Sequence, residues 1–170
     1  MRTLLDRLYL TCGVLAAFFM AAIAALVLSQ TIGRLLGIVV PSANELAGFC
    51  VAASTFLALA PTLQQGTHIR VSLLTTHVSP RVHRWLEAWS LAVAFVFSAY
   101  FAWWAVDLVR GSIRYGDVSP GLLAVPLWIP QLAMAGGLIV FAICLLDNLV
   151  RLLRGGRPAY EAHENASMAE

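Results

Sequence analysis

Histidine, cysteine and carboxylate are the side chains here with the chemistry to act, and their placement excludes most of what they do elsewhere. His68, His77 and His83 lie in one polar stretch, and His163 lies near the C-terminus. A membrane haem needs axial histidines facing each other inside a bundle, and no apolar run holds a histidine. The three clustered histidines suit a solvated interface better than a metal, because their separations are not those of metal motifs. Cys12, Cys50 and Cys144 each fall in a separate apolar run, with no fourth cysteine to complete a ligand set. They read as buried, inert thiols. No Gly-x-Ser-x-Gly elbow, phosphate-binding loop or His-Glu-x-x-His is present. The expectation is therefore no enzyme, no catalytic residue, no cofactor and no metal.

Acidic residues give the same answer. Glu45, Asp107 and Asp147 stand at the ends of apolar runs. A transporter that works alone usually places ionisable groups or unwound backbone at mid-membrane. The deeper polar residues are Ser54, Thr55, Ser90, Ser98 and Gln131. Such side chains usually bond their own helix or a neighbouring one. The residues thus point to a non-catalytic membrane subunit that packs against something larger.

The elements that must position these residues follow from composition. The chain has 170 residues, is 60% hydrophobic and is only 12% charged. A soluble domain carries about 25% charged residues, so too few are present to solvate a globular surface. All eleven basic residues are arginine, and the net charge of +2 offers no contiguous patch for nucleic acid. Four apolar runs are long enough to cross a hydrocarbon core of about 30 Å. The expected fold is a single all-α integral membrane domain over 1–170. Its spans fall near 8–32, 45–64, 85–107 and 126–147, and a polar tail at 155–170 is expected to be disordered. A cleaved signal peptide is the rival reading of the first run, which is longer than the usual apolar region of about 7–15 residues.

Local signals refine this layout. Gly13, Ala17, Ala21 and Ala25 recur every fourth residue, which is either a smooth helix-packing face or common alanine. Ser42 or Asn44 is placed to cap the second helix. Pro61 is expected to kink or end it. Between spans two and three, Ile69, Val71, Leu73, Leu74 and Val78 suggest a short amphipathic helix at headgroup level. Arg70, Arg81 and Arg84, with Trp85, Trp89, Trp103, Trp104 and Trp128, are expected to anchor the bundle at the membrane interfaces. The termini and the 66–84 loop hold eight arginines and the opposite side three. The positive-inside rule then places both termini and that loop in the cytoplasm.

Arg34, Pro41, Glu45-Leu46, an apolar span, and Gly66-x-His68-Ile69-x-Val71-x-x-Leu74 form an ordered set. That set resembles the small permease subunit of the tripartite ATP-independent periplasmic (TRAP) transporters. Pro126-Leu127-Trp128 before the fourth span is similar too. The resemblance covers roughly residues 8–146. It departs at Ser72, where the family often has aspartate, and at Ala135-Gly136-Gly137, where a proline usually precedes the glycine.

The resemblance implies a bacterial inner-membrane, multi-pass subunit. Its partners would be a large TRAP permease subunit, a periplasmic substrate-binding protein and the lipid bilayer. It would scaffold sodium-driven uptake of an organic acid. It also marks Arg34, Glu45, His68, Ile69, Val71 and Gly137 as candidate interface or structural residues. The alternatives are a structural or assembly subunit of another membrane complex, or a small self-contained homo-oligomeric transporter.

Overall fold

In lipid, backbone N–H and C=O groups find no water, so an apolar run closes its hydrogen bonds internally as a helix. The computed structural model describes residues 2–38, 40–65 and 80–155. It contains four helices: α1 (Arg2–Leu35), α2 (Ala43–Gln64), α3 (Pro80–Tyr115) and α4 (Trp128–Leu153). Each is long and apolar enough to cross a membrane, and the described residues hold no strand. The expected amphipathic helix, with His68, Ile69, Arg70 and Val71, lies outside the described residues. So do His77 and most of the polar tail.

Helix ends follow from local chemistry. Gly37 takes φ +72°, and the N–H of Ile38 reaches back to the Gly33 carbonyl at 2.8 Å. The Gly37 N–H donates to the Arg34 carbonyl. This pair of bonds closes the last carbonyls of α1 around a left-handed residue, which glycine adopts without a Cβ clash. Pro61 sits inside the last turn of α2, which gives way four residues later at Gln65. There the Thr62 hydroxyl donates to the Ala58 carbonyl at 2.7 Å.

Two expectations change. The second helical hairpin does not open at Asp107, because α3 continues as helix through Tyr115. Asp107, Arg110 and Arg114 thus ride on a helix that outlasts its apolar run, and the loop shrinks to 116–127. Ser42 precedes α2 at φ +56° and makes no side-chain cap. Its hydroxyl instead accepts from a backbone N–H of the loop before α4.

The packing order is not the chain order. Among the described residues, α1 packs on α2, α2 on α4, and α4 on α3; no other pair packs to a comparable extent. α2 and α4 are central, and α1 and α3 are the two edges. Lipid tails are as apolar as leucine, so close packing rather than exclusion from water holds such helices together. A close backbone approach places Gly137 of α4 against Phe56 in α2. At the end of the bundle near Tyr9, a buried cluster joins all four helices through Ala60, Leu63, Leu91, Cys144 and Leu152. The small-residue stripe of α1 meets a neighbour only in part. Gly13 rests on Pro61, but Ala17, Ala21 and Ala25 are exposed.

Candidate functional site

The end of the bundle away from Tyr9 carries the most structured polar site. It begins with the loop that follows α3. The Ser112 hydroxyl, buried in α3, donates to Asp117 Oδ2 at 3.4 Å, and the Asp117 N–H donates to the Ser112 carbonyl. An antiparallel bridge joins Val118 to Pro126. Inside it, the Ser119 N–H donates to the Val125 carbonyl at 2.8 Å, and the Val125 N–H donates to the Ser119 hydroxyl at 3.1 Å. The loop is therefore folded on its own bonds.

That loop is fastened to α2. The Leu123 N–H donates to the Ser42 hydroxyl at 3.3 Å. Ser42 serves a contact between segments some eighty residues apart instead of capping its own helix. Gly121 then lies directly over the carboxylate of Glu45, so close that a Cβ at 121 would overlap Oε2. Glu45 stands in the first turn of α2, where the helix dipole favours a negative charge. Its Oε2 is buried without a hydrogen-bond partner. A hollow of about 470 Å³ opens beside it, with Gln30, Val40 and Asn44 among its walls. A buried acceptor left unpaired costs about 1–3 kcal/mol. The arrangement therefore suits a donor or cation arriving from outside this chain.

Arg34 does not fill that role here. It is exposed in the last turn of α1 and makes no ion pair with Glu45. An ion pair does form within α4, between Asp147 and Arg151 one turn on. Trp85 and Trp103 are each more than 70% exposed, Trp89 and Trp104 are exposed, and Trp128 is on the border of exposure. All five thus present surface to the bilayer or to a partner. Arg81 and Arg84 are exposed on the same part of α3 as Trp85 and Trp89.

Deeper polar side chains mostly answer to their own helices. Ser54 and Thr55 both donate to the Val51 carbonyl, and Ser90 to that of Glu87. Gln131 differs, since its Oε1 is buried without a hydrogen-bond partner. Among the described residues no three His, Cys, Asp or Glu are grouped to hold a metal.

Sequence reasoning missed two features. One is the role of Ser119 and Gly121 in building the lid over Glu45; Pro120-Gly121 signals a turn but not its target. The other is the polar knot near Tyr9. There the fully buried Asn148 donates to the Cys144 carbonyl at 2.9 Å, and Gln64 approaches the Cys144 sulfur at 3.7 Å. Asn148 hides in a run that reads simply as an arginine-rich helix end.

Residues 23–155 match the family model described as tripartite ATP-independent periplasmic transporters, DctQ component. No curated protein and no solved structure matches. The matched stretch takes in the last part of α1, all of α2, α3 and α4, and the Glu45 pocket.

Proposed function

Because the chain belongs to the DctQ component family of the TRAP transporters, we propose that it is the fixed frame on which the large transport subunit moves. This family is a transporter component family and not an enzyme family, and the chain is a multi-pass membrane protein. On this reading the large subunit binds and carries an organic acid with sodium, after a periplasmic binding protein delivers it. The observation that carries the reading is the placement of charge. From residue 8 to 33, 46 to 63, 88 to 106 and 118 to 146 there is no ionisable Asp, Glu, Lys, Arg or His. A charged acid crossing the membrane needs cations or donors near the midplane, and this chain has no such cation to lend.

The edge helices support a docking role. α1 and α3 each have one strong helix partner, and both keep large apolar side chains exposed. Glu45 supplies a polar fixing point at one end of the bundle. Capture of the tagged chain should recover a large membrane protein along with it. Glu45→Gln should insert and fold yet reduce that recovery several-fold, because the amide no longer attracts a cation. Full recovery with Glu45→Gln would leave the carboxylate only its helix-end role, worth about 0.3–1 kcal/mol. Recovery of no large membrane partner by the unaltered chain would sink the frame itself.

The arginine bias supports an inner-membrane orientation with both termini in the cytoplasm. Ser112 is buried and hydrogen-bonded, so it is a poor reporter. Leu122, 84% exposed, and the exposed Arg154 are better ones. In a background with Cys12, Cys50 and Cys144 changed to alanine, Leu122→Cys should react with an impermeant thiol reagent in outer-membrane-permeabilised cells. Arg154→Cys should react only after the inner membrane is opened. The opposite pattern would invert the topology.

A further inference from the structure

The bundle end near Tyr9 has a second hollow, unrelated to the Glu45 pocket. It is a groove of about 890 Å³ between the start of α3 and the end of α4. We propose that this groove binds one anionic phospholipid, with the phosphate at its arginine rim and an acyl chain along its floor. The proposal rests on the membrane-spanning reading and not on the transporter role.

The rim is Arg81 and Arg84, three residues apart and so on one face of α3. Both are exposed, and neither has an ion-pair partner among the described residues. Arg151, on the neighbouring helix, is by contrast already paired with Asp147. Two unpaired guanidinium groups side by side repel each other. A phosphate between them removes that cost and accepts the forked hydrogen bonds that arginine offers.

Below the rim the lining becomes apolar. Trp85 and Trp89 form one wall, and Leu149 and Leu153 of α4 the other. Ala88, Ala92 and Leu152 also line it, and the two small alanine side chains leave room between the helices. From Arg84 to Ala92 a helix rises about 12 Å, close to the half-thickness of about 15 Å for one leaflet of the hydrocarbon core. A phosphate held at the arginines therefore lays its acyl chain against the tryptophans and alanines. Tryptophan rings favour this depth, and basic pockets between spans are suited to anionic headgroups. A protein helix in the same groove would bury both guanidinium groups and would have to bring carboxylates to offset that. A phospholipid carries its charge to this level already.

The test uses the full chain with Trp103, Trp104 and Trp128 changed to phenylalanine, so that only Trp85 and Trp89 fluoresce. It is reconstituted in phosphatidylcholine vesicles. Either phosphatidylglycerol or phosphatidylcholine with brominated acyl chains is titrated in over the same range of mole fractions. Brominated phosphatidylglycerol should quench at lower mole fraction, with a preference of roughly thirtyfold from two arginines near the surface. Arg81→Gln with Arg84→Gln should bring the two lipids level, whereas Lys at both positions should keep most of the preference. Ala92→Leu fills that room and should reduce the preference with both arginines intact. Since both arginines are exposed, their replacement leaves the packed interior unchanged. Equal quenching in the starting protein overturns the site. A preference that survives the double Gln change, or ignores Ala92→Leu, would mean attraction to the surface at large and also overturns it. Absence of quenching by either lipid would mean that protein fills the groove, which overturns the lipid site as well.

Discussion

Gly137→Ala is expected to destabilise the bundle, while Gly136→Ala, one residue away, is expected to leave it as stable or make it more so. Both changes place alanine in the middle of α4, and alanine is the better helix former by about 1 kcal/mol. What separates them is the neighbour. A Cβ on Gly136 would meet nothing within 4 Å. On Gly137 it would lie 2.5 Å from the carbonyl carbon and oxygen of Phe56, and 2.9 Å from the Phe56 Cβ. Those are backbone atoms and the first side-chain atom, so no rotamer change relieves the clash. α2 and α4 must move apart at the centre of the packing order, which weakens contacts along both. Overpacking of this kind costs about 1–3 kcal/mol. Thermal unfolding in detergent, followed by circular dichroism, should show a lower midpoint for Gly137→Ala than for Gly136→Ala. Gly137→Leu should yield little folded protein. Equal midpoints for the two alanine variants would mean that α2 and α4 do not meet at Gly137.

Sodium-driven uptake is expected to vanish when this chain is omitted, and to be absent when it is reconstituted alone. Each of the four spans lacks an ionisable side chain through its apolar stretch. Moving a carboxylate through such a region unaided is prohibitive on the scale of the membrane barrier, several kcal/mol per charge. On the proposed function the carrying site is therefore supplied by the partner. On the same reading the frame is necessary because a moving subunit needs something fixed to move against. Uptake should appear only when the large subunit, the binding protein and this chain are combined. Alanine at Ser54, Thr55, Ser98 or Gln131 should leave the order of substrate preference unchanged. Ser54 and Thr55 spend their hydroxyls on the Val51 carbonyl, so neither has a donor to spare for a substrate. A changed preference from any of the four would place part of the substrate path in this chain.

Much of this was legible residue by residue. The four helices were readable because span length and lack of charge are properties of a continuous run. Gly137 was marked by the family resemblance, although the reason, a backbone contact with Phe56, was not visible. Glu45 and Arg34 were marked the same way, yet the structure sets Gly121 over the carboxylate and leaves Arg34 exposed and unpaired with it. Ser42 read as a cap because serine before a helix usually is one. Its left-handed backbone and its bond to Leu123 come from a loop far along the chain.

The sequence by itself determined that this protein crosses a membrane four times, where its arginines concentrate, and that no mid-membrane charge exists. Each of these depends on residues adjacent along the chain, and the bilayer acts on them one segment at a time. Only the tertiary structure decided that α2 and α4 lie inside and α1 and α3 at the edges. It also decided that the 116–127 loop closes over Glu45 and that two hollows stand at opposite ends. All four helices are apolar around most of their surface, so hydrophobic pattern cannot choose among partners in lipid. That choice falls to close contacts such as Gly137 on Phe56 and to single hydrogen bonds such as Leu123 to Ser42, which join residues about eighty positions apart.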